Sequence, residues 1–137
     1  MNGDKKIVER IKYKNEKIAI IVKKGYEPKG LEFLTPENYN QQLGIMKCLK
    51  GKIIQSHIHK PIKREVIGTS EAIFIWAGKV EVSLFNSKKE KIATRELSEG
   101  DAIFLISGGH GFKMLEDSVL LEIKQGPYLG KDDKERF

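Results

Sequence analysis

The sequence has a single cysteine, Cys48, among 137 residues. One thiol cannot close an intramolecular disulfide, and it cannot supply a structural zinc site built from several thiolates. An unpaired thiol suits a reducing compartment. Long apolar runs are also missing. No stretch approaches the roughly 18 apolar residues a membrane-spanning helix needs. The opening Met1-Asn2-Gly3-Asp4-Lys5-Lys6 leads into no apolar segment of the kind a secretory signal carries. The expectation is a cytoplasmic protein with no membrane partner. Helical periodicity is scarce, and only residues 36–41, behind a Thr35 cap, read as a helical turn. No strong charge of one sign accumulates either. Lys+Arg number 25 against 19 Asp+Glu, a net charge of +6, and the lysines alternate with apolar residues instead of gathering. That pattern describes solvated faces, so no nucleic-acid partner is expected.

What is present is enough apolar matter for a core, 39% against 32% charged residues, which excludes wholesale disorder. The dominant period is two. Short runs at 18–22, 31–35, 43–49, 53–59, 71–77, 79–85, 92–97, 102–106, 111–115 and 119–124 read as strands. Turn signals separate them about every eight to twelve residues, the signature of an all-β sandwich or barrel of nine or ten strands. The chain reads as one domain over 1–137, with a strand or arm at 1–16. Residues 59–70 hold Pro61 and Gly68 and read as a loop; residues 127–137 read as a tail or docking arm. Met46 and Cys48 alternate on one strand and are expected in the core. Val119, Leu121 and Ile123 share one face of the last strand. They are expected between the sheets, with Glu122 and Lys124 solvated; the alternative is that this pair reaches a polar pocket.

The three histidines fall in suggestive places. His57 and His59, two apart at the end of an expected strand, present both imidazoles on one face. Two such rings make a bidentate grip on a divalent ion. His110 follows Gly108-Gly109, and Glu71 heads the run Ala72-Ile73-Phe74-Ile75-Trp76, apolar on both faces. A carboxylate heading a buried strand needs a partner, because an unpaired buried charge is costly. A metal would be one such partner. Packed or solvated polar side chains are the competing reading of the same spacing. Gln55 shares the His57/His59 face, Arg64 suits a phosphate or carboxylate, and Lys124 ends its strand. These three are candidate substrate contacts. Phe74 and Trp76, opposite Glu71, read as sandwich core or dimer interface.

These residues give the sequence a resemblance to small single-domain cupins. The first cupin motif has a glycine, five residues, His-x-His, a gap, then Glu, six residues and Gly. Gly51, His57-Ile58-His59, Glu71 and Gly78 follow it, with eleven residues in a gap that is usually three or four. Glu65 lies closer to His59, but six residues beyond it comes Ala72, not a glycine. In the second motif Gly100-Asp101 and His110 match, while Ile106 replaces a proline and Met114 an asparagine. The segments His57 through Arg64-Glu65-Val66, Gly108 to Phe112, Lys124 to Tyr128 and Asp133 to Phe137 also resemble a group of small bacterial cupins. Members of that group are encoded among surface-polysaccharide and sugar-nucleotide genes.

The resemblance implies a jelly roll with a pocket at one end. It implies a divalent metal (Fe, Mn, Ni, Zn or Cu) on His57, His59, Glu71 and His110, with Glu65 as rival ligand or acid/base group. A small-molecule ligand, a sugar or sugar nucleotide, and a homodimer are implied as well. Two other functions fit the same residues. One is a non-enzymatic ligand-binding or regulatory cupin. The other is a metal-free sugar isomerase or epimerase with a histidine as base.

Overall fold

A computed structural model describes residues 7–137. The reading of Met1 to Lys6 as no secretory signal concerns residues outside that range. The described residues are all-β. Their ten strands are β1 (Val8–Tyr13), β2 (Glu16–Val22), β3 (Leu31–Phe33), β4 (Gly44–Met46), β5 (Glu71–Ala77), β6 (Lys79–Phe85), β7 (Lys91–Ser98), β8 (Ala102–Leu105), β9 (Gly109–Met114) and β10 (Val119–Lys124). A 3-10 helix follows at Gly130–Asp133. Every strand pairing is antiparallel. The chain divides into two compact units: residues up to Tyr26 together with Thr69–Phe137, and Glu27–Gly68.

The larger unit is a sandwich. One sheet runs β1-β2-β8-β5-β10, the other β7-β6-β9. Strand β6 shows why they pack. Val80, Val82 and Leu84 are fully buried, while Glu81 and Ser83 between them are half-exposed. Period two puts the apolar set on one face, and that face meets Ile73, Ile75, Ile103 and Leu105 of the five-stranded sheet. Each such side chain contributes about 1.5–3 kcal/mol by leaving water. Strand β2 is different: Ile18 to Val22 are all buried. A central strand buried on both faces reads as a continuous apolar run instead of an alternating one.

Polar residues close the ends. Asp101, buried beside the turn Ser98–Gly100, accepts backbone hydrogen bonds from Ser98 and Lys24, both at 2.8 Å, and one from Lys23 Nζ at 3.2 Å. Arg95 of β7 donates through Nε and Nη2 to the two carboxylate oxygens of Glu9 in β1, at 2.9 and 3.0 Å. This two-pronged contact ties one sheet to the other.

The smaller unit holds only the β3–β4 hairpin. The expected helical turn at 36–41 is a single hydrogen-bonded turn, Tyr39 N–H donating to the Pro36 carbonyl at 3.2 Å, with no helix, and side chains clasp it. Thr35 Oγ1 donates to Gln42 Oε1 and accepts from the Leu43 backbone, while Gln42 Nε2 donates to the Pro36 and Tyr39 carbonyls. The expected strand at 53–59 does not form either, and no residue from 47 to 70 is in a strand. Alternation specifies a strand only where one face is covered. Here Ile53, Ile58 and Ile67 are all exposed, Ile58 by 92%. Met46 and Cys48 are likewise exposed, contrary to their expected core placement. Strand β4 is three residues long and pairs with β3 alone.

Candidate functional site

The sandwich opens into a cavity of about 970 Å³ lined entirely by the larger unit. Two strands from different sheets place its central pair. Glu71 heads β5, where the register sets it between Leu105 of β8 and Lys124 of β10. His110 lies on β9 opposite Leu84, whose side chain is in the core, so the imidazole also points to the sandwich interior. The two meet there, with His110 Nε2 at 3.3 Å from Glu71 Oε2.

Glu71 is only 6% exposed. Its carboxyl is nevertheless held below the usual carboxylate range. The hydrogen bond to His110 is the largest cause; burial pushes the other way and is outweighed with help from His110, Lys124 and Glu122. Lys124 Nζ stands 4.0 Å from Glu71 Oε1 and 4.0 Å from Asp133 Oδ2. Asp133 in turn accepts a 2.8 Å hydrogen bond from the Thr69 hydroxyl.

The face of β10 is reversed relative to expectation. Glu122 pairs with the buried Ile73, which turns it and Lys124 inward; Glu122 lines the cavity. Leu121 pairs with Phe74 on the outer face, and Val119, Leu121, Ile123, Phe74 and Trp76 are all exposed. The physical reason is position. Strand β10 is the sheet edge next to β5, and its register to β5 fixes which side faces the core. Phe74 and Trp76 are therefore not sandwich core.

Of the four expected metal ligands, Glu71 and His110 are brought together in the larger unit. His57 and His59 belong to the smaller unit, in irregular exposed chain, with ring centroids 5.1 Å apart. His57 Nδ1 lies 2.9 Å from the Gln55 carbonyl oxygen. With its proton on Nδ1, that ring keeps a lone pair on Nε2, the arrangement a metal-binding imidazole uses. Gln55 thus engages His57 through its backbone. Arg64 and Glu65 lie in the same exposed stretch of the smaller unit.

Glu71 and His110 supply two donors of the types a divalent ion takes. Neutral imidazoles and carboxylates suit first-row metals. Adjacent ligands on an ion at about 2.1 Å stand about 3 Å apart, and the Glu71–His110 separation of 3.3 Å is close to that. Sequence reasoning missed Asp133 and Thr69 as lining of this cavity, and held Glu122 there only as the alternative to a solvated Glu122/Lys124 pair. The β5–β10 register decides for Glu122, and the path of the segment after β10 brings Asp133.

The chain matches no family model, no curated protein and no solved structure. Among the described residues, no helix is long and apolar enough to cross a membrane.

Proposed function

We propose that this chain is a cupin-type metalloprotein that takes a small polar metabolite, a sugar or sugar nucleotide of polysaccharide biosynthesis, into the cavity of its larger unit. The observation that carries this reading is Glu71: a buried carboxylate, ionised beside His110 and Lys124, on the wall of an open cavity. A perturbed titratable group with a specific charge partner on the wall of a cavity is a functional-site candidate. Glu71 and Glu122 accept hydrogen bonds from ligand hydroxyls, and Lys124 holds the Glu71 charge in place. A divalent ion held by Glu71 and His110 would supply Lewis-acid polarisation of a carbonyl or hydroxyl. Elemental analysis tests this, comparing the parent protein with Glu71→Gln and with His110→Ala. About one metal per chain, lost in both variants, supports the reading. No metal in any of them after reconstitution would sink the metal half of it.

The direct Glu71–His110 contact favours a second reading, a metal-free isomerase or epimerase. There the carboxylate orients the imidazole, which moves the proton at Nδ1. Turnover of a sugar nucleotide by chelated protein separates this from the first reading. Saturable binding without turnover points to a regulatory module. A homodimer and cytoplasmic residence belong to the same proposal, the first supported by the exposed apolar outer face of β5 and β10.

A further inference from the structure

The segment after β10 returns to the cavity. Asp133, Lys134, Glu135, Arg136 and Phe137 all line it, yet no residue of the 3-10 helix Gly130–Asp133 is buried. The segment is held by a few separate contacts instead of by a core. Asp133 is held by Thr69 at 2.8 Å. Glu135 accepts from Lys89 Nζ in the turn between β6 and β7, an exposed ion pair of the weak, salt-sensitive kind. Phe137 packs edge-to-face on Phe85, with ring centroids 5.0 Å apart and planes at 86°. Its seat is possible because residue 109 is glycine. A Cβ there would stand 2.7 Å from Phe137 Cζ, closer than packed carbons approach.

We propose that residues 130–137 form a latch across the Glu71–His110 cavity, closed by the Phe137 ring on a shelf of Gly109 and Phe85. In the closed position Asp133 and Glu71 each stand 4.0 Å from Lys124 Nζ. The latch thus supplies one wall of the cavity and a carboxylate beside Lys124. Opening removes both, and it widens the approach to His110, which borders the shelf in sequence. The consequence for ligand uptake rests on the function proposed above. The latch itself does not, because access to His110 reads it without any ligand.

The test is carbethoxylation of the full chain by diethyl pyrocarbonate in chelator-containing buffer, with the rate at each histidine followed by peptide mass mapping. Two variants unlatch the segment from opposite sides, Phe137→Ala and Gly109→Ala. Phe137→Tyr keeps the ring. The exposed His57 and His59 serve as internal references. The His110 side chain is already 33% exposed with the segment in place, so the expected result is a reaction at His110 about two- to threefold faster in both unlatching variants, unchanged references, and a parent-like rate in Phe137→Tyr. An unchanged His110 rate in both variants overturns the latch. So does an equal rise at all three histidines, which would report general loosening. A sugar-nucleotide titration that fails while His110 access responds would reject the proposed function and leave the latch standing.

Discussion

Glu71 is where single-residue chemistry is most exposed to test. Its carboxyl is depressed in the folded state, chiefly by the His110 hydrogen bond, so its charge stabilises the fold above the ordinary glutamate value of about 4.3. That contribution is lost as pH falls from there toward the lowered value. Thermal melts between about pH 5 and pH 3 should therefore show a steeper acid loss in the parent than in Glu71→Gln; parallel curves would contradict the assignment. Asp101 makes a structural counterpart. It satisfies two backbone N–H groups and Lys23 while almost fully buried. Asp101→Ala should cost about 1–3 kcal/mol in urea unfolding, since it strands those donors. Asp101 was legible only as part of a turn signal, because nothing in the order Ser98-Glu99-Gly100-Asp101 names Lys24 as its partner. Glu71 was legible, because a carboxylate heading an apolar run demands compensation wherever the run is buried.

At the scale of elements, alternation was reliable where two sheets cover each other and failed where nothing covers the chain. Strand β6 and the segment 53–59 carry comparable signals. The first has Leu84 and Val82 in the core, the second has Ile58 in solvent. Limited trypsin digestion should therefore cut first at Lys63 or Arg64, in exposed chain that carries no ladder hydrogen bonds. Early cuts within β6 or β7 would contradict the architecture. Leu84→Ala should destabilise the protein by about 2–5 kcal/mol, whereas Ile58→Ala should fall within about 0.5 kcal/mol of the parent.

For the whole molecule, the outer face of β5 and β10 carries the quaternary expectation. Phe74, Trp76, Leu121 and Ile123 lie exposed on one continuous surface. Apolar surface gathered in this way marks an interface more often than scattered single residues do. Sedimentation at micromolar concentration should give a dimer for the parent and a monomer for Trp76→Lys. A monomeric parent would leave that face without its proposed role.

The sequence by itself determined that the chain is all-β, with about ten strands. Those properties follow from local periodicity and turn chemistry. It also singled out Glu71 and His110 before any geometry was known. Only tertiary structure decided that residues 53–59 are not a strand, that Glu122 and Lys124 face inward, and that residues 130–137 fold back over the cavity. Each of these depends on which distant strand or surface a segment meets. Pairing register and covering layers arise between residues far apart in sequence, and no local pattern encodes them.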